Sequence, residues 1–557
     1  MTDNTRTPTQ IDTIADAWVD TLVELEPIVA TYIGRSEYND RFGNLSPAGH
    51  ERMAEAARAT LAALRGASPI DDVDVVTRDD LSRELELLLD LHESKWALRD
   101  LNVIASPPQD IRASFDLMPT ATAGDWAVIA RRLGAVDGAI NGYIETLRQG
   151  IAQGVTPARR QVREVATQIA RYSATDGFFD SFVASARPDE GELPDELRDE
   201  LRAGAISAKA AYDRLREFLT GTLEPVTGEH DGVGRELYAL QSRRFLGATI
   251  DLDETYEWGV AELARMVAEQ EAIANEILPG ATVEEAVAHL EKDASRKLVG
   301  TEALQQWMQA TSDKAVEELG RTHFDIAEPI RRLECMIAPT QEGGIYYTGP
   351  TDDFSRPGRM WWSVPEGVTE FDTWRELTTV YHEGIPGHHL QIAQAVYNRA
   401  QLNSWRRLLG GTSGHAEGWA LYAERLMEQL GYLDDPADRL GMLDGQRMRA
   451  ARVVLDIGVH LGKTRPDGNG VWDAEYALEF MKRNVNMPDE FVEFEVNRYL
   501  GWPGQAPSYK VGQRIWEQLR DDAADREGDA FSIKEFHRRA LDIGGVGLDT
   551  LKAALAR

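Results

Sequence analysis

Apolar residues recur every three or four positions along most of this chain. Ile11, Ile14, Trp18, Leu22 and Leu25 form one such stripe, and Trp126, Ile129, Leu133, Val136, Ile140, Tyr143 and Leu147 form another. That period predicts amphipathic helices. Thr156-Pro157 reads as an N-cap with proline at the first helical position, opening a helix through Val162, Val165, Ile169 and Tyr172. Polar breaks at Arg187–Pro194 and Pro225–Gly234 interrupt the helical pattern. The second break divides the chain into an expected N-terminal helical lobe, 1–230, and a second region, 231–557. The pattern changes at Ile345–Pro350 and Met360–Val364, which are short, aromatic-rich and bounded by Gly and Pro. They predict a β-hairpin turning at Arg356-Pro357-Gly358. Trp374, Leu377 and Tyr381 then lead a further helix. The fold class is mainly α, with one small hairpin.

That last helix runs into Tyr381-His382-Glu383-Gly384-Ile385-Pro386-Gly387-His388-His389-Leu390-Gln391. The chain has 11 histidines, and three of them fall here. Neutral imidazole is a preferred zinc ligand, and a carboxylate beside it is placed to activate water. The motif HExxH achieves this on one helix, because positions i and i+4 share a face. Here the spacing is longer. At about 100° per residue His388 is rotated roughly 240° from His382, whereas His389 returns to the same face about 10 Å further along. A regular helix therefore makes neither a partner of His382. Pro386, Gly384 and Gly387 predict a reshaped turn that draws one of the two back.

A catalytic zinc takes three protein ligands and keeps one position open. The apolar stretch around Leu421, Leu426 and Met427 carries Glu417 and Glu424 on one face, and buried carboxylates need a partner or a cation. Glu417 is assigned as third ligand and Glu424 as the partner of a ligand imidazole. Glu383 is the expected general base. Between Arg498 and Lys510 a Gly- and Pro-rich loop offers Tyr509 to stabilise an oxyanion and Arg498 to hold a substrate carboxylate. His460 is a further catalytic candidate, although its apolar surroundings read as structural.

Composition narrows the setting. The hydrophobic and charged fractions, 43% and 27%, are those of a soluble globular protein, and the net charge is −33. So acidic a chain argues against nucleic acid or an anionic membrane as partner. The one cysteine, Cys335, sits among Leu333, Met336 and Ile337 as a core residue and excludes an internal disulfide. A single thiol fits a reducing cytoplasm, which is the expected location, and with no apolar leader after Met1 and no long uncharged run neither a signal region nor a transmembrane helix is expected.

The motifs together resemble a bacterial family catalogued as a domain of unknown function (number eight hundred eighty-five). Its marks are HEGxPGHHxQ at His382–Gln391, EGWAxYxE at Glu417–Glu424, PGQAxxYxxG at Pro503–Gly512 and SRPG at Ser355–Gly358. More distantly the chain is similar to gluzincin peptidases of the angiotensin-converting enzyme, thimet oligopeptidase and Taq carboxypeptidase type. That likeness implies an elongated, two-lobed, zincin-like helical fold with a deep central channel, one Zn2+ per chain and short peptides as substrates. In those enzymes the second ligand histidine follows a glycine. Aligning that pair onto Gly387-His388 makes His388 the ligand, with two residues inserted, and leaves His389 to pack or touch substrate. Two rival readings use the same residues. One is a zinc hydrolase of a non-peptide amide or ester, and the other a non-enzymatic peptide-binding protein on a degenerate zincin scaffold.

Overall fold

The computed structural model describes residues 6–338 and 344–557, and these form helix after helix interrupted by five short strands. The apolar stripes become buried helix faces. Gln10–Leu25 buries Ile11, Ala15, Trp18, Val19 and Val23. Ala123–Gln153 buries all seven residues of its stripe and starts on a capping box between Thr122 and Asp125. The next helix begins later than Thr156-Pro157 predicts, at Arg159, with Ala158 in the cap position. The preceding helix closes on Gly154 (φ +68) and Val155, whose N–H donates to the Gly150 carbonyl, so Thr156-Pro157 lies in the connection.

The strands form two small sheets. Strands β1 (Lys297–Val299) and β5 (Glu370–Asp372) pair antiparallel. The second sheet has the order β2-β4-β3, from β2 (Leu333–Ile337), β3 (Ile345–Thr348) and β4 (Gly358–Trp362). The predicted hairpin is its β3–β4 pair, in register from Ile345 opposite Trp362 to Thr348 opposite Arg359. Its connection spans residues 349–357 rather than a tight turn at Arg356–Gly358, because Thr351 and Asp353 organise a loop of their own through side-chain bonds to Ser355 and Arg356. Strand β2, which runs parallel to β4, was not anticipated. Its outer edge is covered by side chains of helix Thr301–Thr322: Gln309 and Gln305 donate to the Leu333 and Cys335 carbonyls, and Gln309 accepts from the Cys335 N–H. Strand β3 is the other edge of this sheet, and no strand among the described residues pairs with its outer side.

Apolar burial falls into separate clusters. One lies wholly within residues 101–223, around Trp126, Leu133, Tyr143 and Tyr212. A second joins the first helices to Trp405. The largest runs from Tyr238 to Leu551 with Val76, and a fourth, including Cys335, Met360 and Trp362, backs the sheet. The first helices are also tied to the later part of the chain by polar bonds. Asn403 donates to Asp12 (2.9 Å), while Trp405 and the Gly547 N–H donate to Asp80 (2.9 and 2.8 Å). Among the described residues no helix is long and apolar enough to cross a membrane.

Candidate metal centre

Helix Thr373–Glu383 stops one residue after His382, and a new helix, His388–Tyr397, starts on the second histidine. Between them the chain folds back over the end of the first helix through a cis Ile385–Pro386 peptide. The Gly384 and Gly387 N–H groups donate to the carbonyls of Val380 (2.9 Å) and Tyr381 (3.1 Å). A Cβ on Gly387 would lie 1.9 Å from the His382 carbonyl oxygen, so only glycine permits this approach. Trp419 donates its indole N–H to the Pro386 carbonyl (2.9 Å) and anchors the inserted residues from outside. The result brings the His382 and His388 rings to a centroid separation of 4.8 Å, nearly perpendicular to each other.

His382, Glu383 and His388 present ligand atoms within 4.8 Å of one another, a group able to hold a metal ion. Glu417 reaches the same point from helix Ser413–Gln429. Its Oε2 lies 3.4 Å from His382 Nε2 and 3.7 Å from His388 Nε2. Tetrahedral ligands at zinc bond lengths of 2.0–2.1 Å stand about 3.3 Å apart, so these spacings are close to those of a bound ion. Glu417 meets both Nε2 atoms and is better placed than Glu383 to complete a ligand set. The orphaned atoms agree: Glu417 Oε2 and Glu383 Oε2 are buried without a hydrogen-bond partner, an arrangement that is costly unless a cation faces them. Burial alone raises a carboxyl pKa, yet the two imidazoles hold Glu417 well below the usual range. For His382, burial is outweighed by Glu417 and Glu424, and its pKa rises to about 10.

The surrounding residues explain the rest of the motifs. Glu424, 1% exposed, meets His382 Nδ1 at 2.7 Å through Oε1, and its Oε2 accepts from Thr378 (2.9 Å) and Gln446 (3.4 Å). Those bonds leave His382 Nε2 free to face a metal ion. His389 is excluded as a ligand because both its nitrogens are engaged. Nε2 donates to the Ile330 carbonyl (2.7 Å), so Nδ1 accepts from the Tyr347 hydroxyl (2.9 Å), and burial lowers its pKa to about 4. A Cβ on Gly358 would lie 2.1 Å from that hydroxyl, which accounts for the glycine of SRPG. Gln391 donates to the His415 carbonyl (3.2 Å), and Tyr422 meets His537 Nε2 at 2.8 Å.

Helices Ser413–Gln429 and Ser508–Glu527 cross at glycine. A Cβ on Gly512 would stand 2.3 Å from the Gly414 carbonyl oxygen, and one on Gly418 would stand 2.4 Å from the Gly512 carbonyl carbon. Tyr509 lies one turn before Gly512, near enough to Glu417 for that carboxylate's charge to act on it. Burial first, and then the Glu417 charge, raise the Tyr509 pKa and keep its hydroxyl protonated as a donor. Arg498 does not offer a free fork: Nε and Nη2 donate to Glu495 (3.1 and 3.0 Å), and Nη1 donates to Gln505 (2.7 Å). His460 is structural. Its Nε2 donates to the Tyr499 carbonyl (3.0 Å), its ring stacks on Tyr238, and burial lowers its pKa to about 4. Sequence reasoning missed Thr378 and Gln446. Thr378 lies one helical turn before His382, which is a usable signal; Gln446 lies on a separate helix and left none.

Fold and site together define a mainly α protein with a histidine–glutamate cluster, able to hold a metal ion, beside a small sheet. The chain belongs to the family described as "Bacterial protein of unknown function (DUF885)", whose profile matches residues 27–555. Two solved structures share the fold. "The putative lipoprotein from Colwellia psychrerythraea" aligns at TM-score 0.83 and 22% identity, over 98% of each chain. "A putative lipoprotein of unknown function from Shewanella oneidensis" aligns at TM-score 0.73 and 17% identity, over 99% of this chain and all of that one. A carboxypeptidase from Pyrococcus furiosus aligns only at TM-score 0.35 and 12% identity, over 99% of this chain and 97% of that one, and carries no argument. No curated protein matches. The expected cytoplasmic location is overturned by the two lipoprotein neighbours. The observation behind it was weak, since a lone buried thiol such as Cys335 is chemically compatible with any compartment.

Proposed function

We propose that this protein is a zinc-dependent peptidase acting on short peptides, with His382, His388 and Glu417 as the zinc ligands. The observation that carries the reading is the meeting of both Nε2 atoms at Glu417 Oε2, with the Glu383 carboxylate within reach of the same point. Zinc, when bound, supplies Lewis-acid polarisation of the scissile carbonyl and lowers the pKa of water. Glu383 takes a proton from the attacking water as oxygen adds to the carbonyl carbon, and delivers it to the leaving nitrogen as the C–N bond breaks. Tyr509 donates a hydrogen bond from its hydroxyl, which keeps its proton, to the oxygen on which negative charge develops. The free edge of β3 supports an extended peptide by backbone pairing, and its Tyr347 is bonded to His389 beside the centre. A channel between the N-terminal helices and the metal region gives the substrate access in this reading.

Metal analysis of the purified protein tests the ligand set, with about one zinc per chain expected. His382→Ala, His388→Ala and Glu417→Ala lose it, whereas His389→Ala keeps it. Glu383→Gln retains zinc and loses peptide hydrolysis. Undiminished zinc in the three ligand variants, or full turnover in Glu383→Gln, refutes the assignment.

A further inference from the structure

Three arginines stand near Tyr509, and two of them are already committed. Arg498 is spent on Glu495 and Gln505. Arg452 donates to the Tyr499 hydroxyl (2.7 Å) and Glu495 (2.8 Å), and its guanidinium lies 5.3 Å from the centre of the Tyr509 ring. Arg449 is different. Among the described residues it makes no hydrogen bond or ion pair, and its Nε is buried without a partner.

Its place on helix Pro436–Leu461 is informative. One turn earlier, Gln446 donates to Glu424, the carboxylate that orients His382. One turn later, Arg452 covers Tyr509. At 1.5 Å per residue Arg449 lies about 4.5 Å along the axis from each. It sits between the support of the metal ligand and the proposed oxyanion donor, and its charge acts on both Glu424 and Tyr509. The guanidinium lies against the helix it grows from. A Cβ on Gly445 would fall 2.5 Å from Arg449 Nη1, so the guanidinium folds back over a glycine in the helix interior.

We propose that Arg449 anchors a free carboxylate of the substrate, so that the site takes short peptides by their acidic end. This rests on the peptidase reading for what happens to the bound molecule, but not for the binding itself. The planar guanidinium suits a carboxylate bidentately, and a charge-assisted pair of this kind supports a preference of roughly tenfold to a hundredfold. A C-terminal carboxylate and an acidic side chain share this chemistry.

The test is calorimetric binding to full-length, zinc-loaded Glu383→Gln protein. The ligands are N-acetyl-trialanine as free acid, the same peptide as C-terminal amide, and an amidated peptide with a central glutamate. The acid is expected to bind at least tenfold tighter than the alanine amide. Adding Arg449→Met removes that difference, and Arg449→Lys keeps part of it. Zinc content and melting temperature show that each variant is folded, and Arg449→Gln replaces Arg449→Met if the latter does not fold. Tight binding by the glutamyl amide assigns the anchor to a side-chain carboxylate; weak binding assigns it to the C-terminus. Equal affinity for acid and alanine amide, persistence of the preference in Arg449→Met, or no binding of any ligand overturns the proposal. Failure of the two readings is separable. Wild-type hydrolysis of acid and amide alike refutes the anchor alone, while acid-selective binding without any wild-type hydrolysis refutes the peptidase reading alone.

Discussion

Replacing Glu424 by Gln probes the proposed metal site without touching a proposed ligand. Glu424 is 1% exposed, and its Oε1 stands 2.7 Å from His382 Nδ1. The substitution keeps the shape and an acceptor oxygen but removes the charge. A hydrogen bond to a charged group contributes about 1.5–3 kcal/mol and a neutral one about 0.5–1.5, so the loss is roughly 1–2 kcal/mol. Through the ligand imidazole that becomes a five- to thirtyfold weakening of zinc affinity, the lower part of the range for partners of metal-bound histidines. Thr378 and Gln446 lean on the other oxygen, so an amide must turn one N–H towards Thr378 and disturb Gln446, which adds to the effect. The assay is competition for zinc between the protein and a chelator of known affinity at fixed pH, with urea unfolding as a check on the fold. A dissociation constant within twofold of the wild type, in a folded variant, would show that Glu424 does not orient His382.

Gly512→Ala places a methyl group against the Gly414 carbonyl at the helix crossing. Backbone cannot yield as a side chain does, so a loss of about 1–3 kcal/mol is expected in urea unfolding, and an unchanged midpoint would refute the close crossing. Asp456 is fully buried. It accepts from the Tyr238 hydroxyl and the Gly504 N–H on one oxygen, while the other oxygen has no hydrogen-bond partner. Desolvation outweighs Tyr238, Gly504 and Arg498 and pushes its pKa up to about 7. A carboxyl with a raised folded pKa contributes stability that is complete below its unfolded value near 4 and is lost as pH rises through about 7, by up to roughly 4 kcal/mol. Asp456→Asn therefore gains on the wild type between pH 4 and pH 7 in denaturation curves, and parallel curves for the two proteins would remove Asp456 as the cause.

The helical pattern, the hairpin and the first cluster of candidate metal ligands were legible because each is written locally. Trp126 to Leu147 repeat on one helical face, Ile345–Thr348 and Gly358–Trp362 are bounded by their own glycines and prolines, and His382, Glu383 and His388 fall within seven positions. Less was legible where backbone closure decided. Strand β2 carries no alternation, and it pairs because helix Thr301–Thr322 caps its outer edge with Gln305 and Gln309. Arg498 was read as free because its partner Glu495, one turn away, looks in sequence like any surface acid.

The sequence by itself determined which chemistry is available: two histidines and three carboxylates in apolar surroundings, with glycines wherever the chain must pass close to another backbone. Only the tertiary structure decided which of these atoms meet. It turned His388 towards His382 by folding Gly384–Gly387 back over a helix end, and it consumed both nitrogens of His389 in bonds to Ile330 and Tyr347. It brought Glu417 in from a helix held at a glycine crossing. It also separated the committed Arg498 from the uncommitted Arg449. The physical reason is common to all four. Periodicity assigns a residue to a buried face, but whether a polar atom on that face is satisfied, orphaned or shared depends on groups many residues away in the chain.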